Sequence, residues 1–431
     1  MAGSGAASAS CFESELPVKE IVLINVSGHD RPGITAQLTA ILGRCGVPVL
    51  DIGQSVIHDT LTLGLLVEIP DANASCAVFK ELVFAGHGLG LAIRFTPIPA
   101  AEYESWVQAQ GRPRHIVTLL GREISARHLA GVAQVVADNG LNIDQITRLS
   151  GRISRTGAAP RRPASVQLQL RGAVDDLTAL HGAFLRLGQE LDVDVAIQED
   201  DVFRRTRRLV CFDMDSTLIQ TEVIDELAAA AGAGDQVAAI TEAAMRGELD
   251  FQASFRQRLA LLEGLEERVL AEIAERLPIT EGADRLIATL KQLGYRVAIL
   301  SGGFRYFAEH LQRRFGVDYV HANDLEVRGG RLTGRVSGEI VDGRRKAELL
   351  REIAASEGVR LEQVIAVGDG ANDLPMLSIA GLGIAFHAKP LVKEQARHSI
   401  ATVGLDGILY LLGMRDRDVA NLTVGTERPE A

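Results

Sequence analysis

Two aspartates separated by one residue, in Asp213-Met-Asp-Ser-Thr217, directly follow the apolar run Leu209-Val-Cys-Phe212. A strand ending at Phe212 aims the carboxylates of Asp213 and Asp215 into one crevice. One carboxylate can attack phosphorus and form an aspartyl-phosphate. Its neighbour can serve as general acid and then as general base. The two roles need different protonation states, which crowded carboxylates can acquire. Taken alone, an Asp-x-Asp segment could equally cap a turn.

Three more segments carry complementary groups. Ser301-Gly-Gly-Phe304 follows the apolar run Arg296–Leu300. Ser301 offers a hydroxyl, and Gly302 and Gly303 let backbone N–H groups approach an anion closely. Gly343-Arg-Arg-Lys346 opens a helical pattern, where Lys346 supplies a fixed positive charge. Gly368-Asp-Gly-Ala-Asn-Asp373 follows Gln363–Val367 and adds Asp369 near Asp213. Clustered carboxylate oxygens suit a hard cation. Magnesium fits, because it takes one or two carboxylates plus phosphate oxygens and water. Each segment has a blander reading as a glycine turn, a solvated lysine or turn-forming Asp and Asn. In this order, each past a strand end or at a helix start, the four point together to phosphoryl transfer.

The elements that must position these groups can be read from periodicity. The three apolar runs are strands separated by long helical patterns, which predicts a parallel sheet covered by helices. Ligands of such sheets lie beyond the carboxyl ends of the strands. A mostly helical insertion, about 219–281, interrupts the first crossover and reads as a cap over the crevice. The N-terminal half holds a degenerate repeat. Its first copy runs strand 20–26, helix from Ile34 to Gly46, strands 49–57 and 61–69, a helix near 74–85 and strand 91–98. The second runs strand 115–120, helix 126–138, strands 141–149 and 165–170, a helix near 175–190 and strand 193–198. Each is the βαββαβ order of a ferredoxin-like domain.

Composition bounds the rest. At roughly 150 residues per domain, 431 residues suggest about three domains. The expected boundaries are a disordered tail 1–18, small domains 19–103 and 113–200, a catalytic domain 207–412 and a flexible tail 413–431. Apolar residues at 47% exclude wholesale disorder, and a net charge of −11 lacks a basic nucleic-acid footprint. No apolar run is long enough to span a bilayer. The start lacks a signal-peptide pattern, and four scattered cysteines suggest neither zinc nor disulfides. A cytoplasmic location is expected.

The motif set resembles the haloacid dehalogenase superfamily, and within it the phosphoserine phosphatase family. The narrower signals are Glu222 in Gln220-Thr-Glu-Val-Ile-Asp-Glu226, the run Ile240–Phe251 and Phe255-Arg-Gln-Arg258. The resemblance implies a Rossmann-like parallel-sheet α/β core with a helical cap. It implies Asp213 as nucleophile, Asp215 as general acid/base, and magnesium held by Asp213, the Asp215 carbonyl and Asp369. It assigns Ser301, Gly302, Lys346 and Asn372 to phosphate, with Asp373 in support. For O-phospho-L-serine it assigns Glu222 to the ammonium, Arg258 to the carboxylate, and Met245 and Phe251 to apolar walls. Arg256 and Arg258 fall on different helix faces, so at most one of them points inward, and the resemblance puts the clamp at Arg258.

The N-terminal pair resembles ACT domains, which sense amino acids. That resemblance implies a homodimer with L-serine as effector, held by the turn Asp30-Arg-Pro-Gly33 and by Asp51. The second copy, with Gly121-Arg-Glu-Ile-Ser125 in place of that turn, departs from the pattern. Two rivals stay open: a phosphatase for another small phosphomonoester or a phosphoprotein, and an amino-acid-binding regulator with an inactive phosphatase half.

Overall fold

The computed structural model describes residues 20–70, 72–152, 163–246 and 248–424. Expectations for residues 1–18, and most of the loop after Gly151, lie outside the described residues.

The chain forms two compact units, divided after Gly111. In the first, β1 (Glu20–His29), β2 (Val49–Ile57), β3 (Thr60–Ile69) and β4 (Leu91–Ile98) form an antiparallel sheet in the order β2-β3-β1-β4. Alternation along β1 buries Val22, Ile24 and Val26 against the helices Ile34–Arg44 and Ala72–Leu89. Gly33 starts the first helix with φ +92°, a left-handed conformation that glycine adopts without strain. A helix at Ala100–Gln108, which the periodicity did not suggest, follows β4.

The second unit begins with the same arrangement. β5 (Arg114–Gly121), β6 (Asn142–Arg148), β7 (Ala164–Arg171) and β8 (Asp194–Glu199) lie in the order β6-β7-β5-β8. Ser125 and Asp176 cap the helices Ala126–Asp138 and Leu177–Leu191 by accepting backbone N–H bonds.

The catalytic sheet has seven strands in the order β12-β11-β10-β9-β13-β14-β15. The three expected strands are its centre: β9 (Leu209–Phe212), flanked in parallel by β10 (Arg296–Phe304) and β13 (Val364–Gly368). All four residues of β9 are buried. The remaining strands are β11 (Tyr319–Arg328), β12 (Arg331–Ser337), β14 (Leu382–Phe386) and β15 (His398–Ile400), with β12 antiparallel to β11. The insertion between β9 and β10 holds helices 223–230, 234–245, 251–260 and 268–276, and a bridge between Ile219 and Ile279 closes its base.

Within this unit, buried polar contacts join the second ferredoxin-like domain to the catalytic domain. The Asp194 carboxylate accepts from the N–H groups of Ala401 and Thr402 and from the Thr402 hydroxyl, at 2.8, 2.9 and 2.7 Å. Gln198 donates to the Leu411 carbonyl at 3.0 Å. The expectation of a flexible tail over 413–431 is corrected as far as residue 424, since Asp416–Val424 is a helix, and residues 425–431 lie outside the described residues. Asp416 anchors it, accepting from Gly151 N–H at 2.6 Å and from Arg285 at 2.8 Å.

Candidate active site

β9, β10 and β13 end side by side, and the turns after them bring three of the sequence motifs together. Asp213 and Asp215 follow β9, Ser301–Gly303 occupy the end of β10, and Asp369–Asp373 follow β13. Lys346 enters from the helix Gly343–Ser356, whose start is capped by Asp342 accepting from Arg345 N–H at 3.0 Å.

Lys346 has no exposed surface, and its Nζ lies 2.8 Å from Asp213 Oδ1 and 2.7 Å from Asp373 Oδ1. Burial opposes its charge, but the two carboxylates prevail and hold its pKa above the ordinary lysine value. The Met214 N–H also donates to Asp213 Oδ1, at 2.8 Å. Both contacts fall on one oxygen, leaving Oδ2 without a hydrogen bond among the described residues.

Asp213, Asp369 and Asp373 each bring a carboxylate oxygen within 4.8 Å of the others. Burial and the charge of Asp373 raise the Asp213 pKa well above the usual carboxylate range, against the pull of Lys346. Burial and Asp373 likewise push Asp369 up to about 7. Lys346 alone therefore does not balance this cluster, and the oxygen-rich set suits a hard divalent cation. Asp373 gives one oxygen to Lys346 and the other to Gly370 N–H at 3.0 Å. Among the described residues Asp369 has only a long 3.3 Å bond from Thr217, so Asp213 and Asp369 are the better placed ligands.

Asp215 differs from Asp213. It has no lysine contact and accepts a weak 3.3 Å bond from Val223 N–H. Burial first, then Glu222 and Asp213, raise its pKa well above the usual range. Asp213 is raised as well, but a lysine contacts it directly, so of the two Asp215 is the better placed to carry a proton and donate it. Gly303 is a required neighbour, because a Cβ there would collide with Asp215 Oδ2.

The cap supplies the other wall. Glu222 begins helix 223–230 and accepts from the Ser216 hydroxyl at 2.8 Å. Asp250 caps helix 251–260, on which Phe251, Phe255 and Arg258 recur at helical spacing along one face. Phe251 stacks on Phe255 with ring centres 6.0 Å apart. Its edge also lies 3.3 Å from where a Gly302 side chain would begin, so it covers the glycine turn. Asn372 Nδ2 reaches the same point at 3.8 Å. Arg258 is half-buried while Arg256 is exposed and bonded to Gln252, so Arg258 is the inward one. Burial lowers the Arg258 pKa, and Glu222, Asp225 and Asp215 oppose that. The Met245 side chain lies outside the described residues.

The sequence did not single out Asp225, one helical turn from Glu222, whose pKa burial raises and Arg258 restrains. Nor did it reveal Gln252, which donates to Asp342 at 3.0 Å and ties the cap to the Lys346 helix. Asp225 had a signal in its spacing from Glu222. Gln252 had none, because its partner is remote in sequence. In the first unit, Asp30 and Gly33 flank the start of helix 34–44, and Asp51 is exposed on β2 with one oxygen bonded to Ile52 N–H.

Family comparison matches a haloacid dehalogenase-like hydrolase over residues 210–378 and an ACT domain over each of 20–96 and 113–198. The chain is 44% identical over 416 residues to phosphoserine phosphatase SerB2 of Mycobacterium tuberculosis, covering 95% of this chain and 97% of that one. It is 42% identical over 401 residues to a phosphoserine phosphatase of Streptomyces coelicolor, covering 92% and 93%. Among solved structures it is similar to a haloacid dehalogenase family hydrolase from Salmonella enterica serovar Typhi. That likeness has 31% identity and a TM-score of 0.59, covering 69% of this chain and 98% of that one.

Proposed function

Because the chain belongs to the phosphoserine phosphatase family of haloacid dehalogenase-like hydrolases, with two ACT domains ahead of the catalytic one, we propose that it hydrolyses O-phospho-L-serine to L-serine and phosphate, the last step of serine biosynthesis. The observation that carries this reading is the contrast between Asp213, paired with Lys346, and Asp215, unpaired and facing the cap acid Glu222.

In this reading the free Oδ2 of Asp213 attacks phosphorus, and the bond from phosphorus to the serine oxygen breaks. Asp215 gives its proton to that departing oxygen. The Asp215 carboxylate then takes a proton from water, which attacks the aspartyl-phosphate and releases Asp213 and phosphate. Lys346 neutralises phosphate charge that would otherwise repel the nucleophile. Ser301, the Gly302 N–H and Asn372 hold the phosphate oxygens, and Asp373 fixes Lys346. Glu222 pairs with the substrate ammonium, and Arg258 clamps the carboxylate through two hydrogen bonds. Phe251 closes the apolar side. Magnesium held by Asp213, the Asp215 carbonyl and Asp369 would add positive charge at the phosphate.

A hydrolysis panel of phosphoserine, phosphothreonine, sugar phosphates and a phosphopeptide tests the reading, with and without a chelator. Phosphoserine should show the highest kcat/KM, and chelation should abolish turnover. A preference for another phosphomonoester would overturn the roles of Glu222 and Arg258.

For the first ACT domain we read a homodimer that binds L-serine near Asp30, Gly33 and Asp51. Support comes from the sheet edge: β2 exposes Val49, Ile52, Val56 and Ile57 by 45, 51, 39 and 77%. An uncovered apolar edge strand is suited to pairing with a second copy. Sedimentation and calorimetric titration with serine test this, and a monomer that releases no heat would refute it. No helix among the described residues is long and apolar enough to cross a membrane, which is compatible with a cytoplasmic enzyme.

A further inference from the structure

The phosphate-facing turn sits in an interruption of the sheet. β10 and β11 pair Leu300 with His321 and resume with Phe304 opposite Asn323, so Ser301–Gly303 bulge out of the ladder. A bulge of this kind leaves peptide groups unpaired, and something must orient them. Asn323, 2% exposed, does so from β11. Its Nδ2 donates to the Gly302 carbonyl at 2.8 Å, and its Oδ1 accepts from Val341 N–H at 2.8 Å. The two partners fix which end of the amide is which, since one can only accept and the other can only donate.

The peptide between Gly302 and Gly303 is thus held at both ends. Its carbonyl is taken by Asn323, and its N–H donates to Ser301 Oγ at 2.9 Å. A hydroxyl that already accepts from an N–H keeps its own hydrogen to donate elsewhere. The second arm of Asn323 reaches Val341, next to Asp342, which caps the helix bearing Lys346. One buried amide therefore ties the glycine turn to the start of the lysine helix.

We propose that Asn323 is a positioning residue for the phosphate half of the site: through the Gly302–Gly303 peptide it leaves the Ser301 hydroxyl free to donate to the transferring phosphoryl group, and it sets that turn against Lys346. The inference rests on the phosphatase reading above.

The test is a double-mutant cycle in the full-length protein, with O-phospho-L-serine as substrate and inorganic phosphate as competing ligand. Asn323→Asp keeps the shape and the acceptor for Val341 but turns an oxygen toward the Gly302 carbonyl. Asn323→Ala removes both arms without that repulsion. Ser301→Ala removes the hydroxyl itself. Losing a donor to developing negative charge costs about 100-fold or more in kcat. Asn323→Ala should therefore lower kcat by about tenfold or more and weaken phosphate inhibition comparably, and Asn323→Asp should do so wherever its carboxyl is ionised. In the Ser301→Ala background the Asn323 substitutions should cost much less than alone, because the group they act through is gone.

Additive effects of Asn323 and Ser301, or wild-type kcat and phosphate inhibition in Asn323→Ala, would overturn the proposal. So would a loss that follows only a lowered unfolding temperature, with phosphate inhibition intact. Should Asn323→Asp give no cooperative unfolding transition, the cycle with Asn323→Ala decides by the same criteria. A wild-type protein that leaves phosphoserine intact would instead refute the phosphatase reading, and the control shows this before any variant is compared.

Discussion

Lys346 Nζ lies 2.7 Å from Asp373 Oδ1, and neither side chain has any exposed surface. The same nitrogen lies 2.8 Å from Asp213, so one cation joins the attacking carboxylate to a carboxylate that does not attack. Removing one member of such a buried set strands the others, which costs about 3–5 kcal/mol. Lys346→Met should therefore both abolish phosphoserine turnover and lower the urea midpoint of unfolding. Stability unchanged from wild type would show that the pairing with Asp373 is energetically idle.

Gly303 tests the placing of Asp215 by crowding. It follows Ser301 and Gly302, and a Cβ on it would strike Asp215 Oδ2 and crowd Met214 Cε at 2.9 Å. Gly303 has no positive φ, so alanine is not excluded by backbone conformation. Displacing Asp215 removes the general acid, a contribution of about 100-fold or more. Gly303→Ala should lower kcat by about that factor, with a modest fall in melting temperature because Asp215, Met214 and Ser301 must all give way. Full activity would mean that Asp215 can move without loss, which is incompatible with its assigned role.

The cap residues should act on binding more than on phosphoryl transfer. Arg258 is half-buried with its Nε unpartnered, facing Glu222, Asp225 and Asp215. A lysine there keeps the charge but not the two-pronged geometry. Arg258→Lys should raise KM for phosphoserine by about tenfold or more, since one bidentate charge-assisted pair is weakened. Inhibition by inorganic phosphate, which lacks the amino-acid end, should be unchanged. Equal losses for both ligands would place Arg258 at the phosphate instead.

How far the sequence shows this site follows from where each group sits. Asp213 and Asp369 come just past buried strands of the central sheet and Ser301 follows the apolar part of β10, so the apolar runs alone are enough to locate them. The ferredoxin-like order was equally legible, because alternating burial in β1 and helical spacing from Ile34 are local patterns. β11, β12, β14 and β15 were not: they are the outer strands of the sheet, and none of them ends in one of the four motifs. Asn323 and Gln252 were invisible for another reason. Their hydrogen bonds reach segments remote in sequence, and nothing local distinguishes them from other polar residues. The helix Asp416–Val424 was hidden likewise, since its anchor Asp416 is held by Gly151 and Arg285.

Asp416 makes that anchor sensitive to acid. Its Oδ2 accepts from Gly151 N–H at 2.6 Å, and its Oδ1 accepts from Arg285 and from the Tyr410 hydroxyl, each at 2.8 Å. Burial pushes its pKa up, but the Gly151 amide, Tyr410 and Arg285 outweigh that and hold it below the ordinary aspartate value. A carboxyl whose pKa is lower in the folded state binds fewer protons there than in the unfolded chain. Its stabilisation is therefore complete above the unfolded value of about 4 and is lost as pH falls through the folded value. Asp416→Asn removes this titration and also turns a donor toward groups that themselves donate. The variant should melt lower than wild type at pH 7, and the gap should narrow as pH falls from about 5 toward 3. Thermal unfolding across that range measures it. Parallel curves for the two proteins would show that Asp416 is not a source of acid sensitivity, and that the contact from Gly151 to the C-terminal helix is held by other groups.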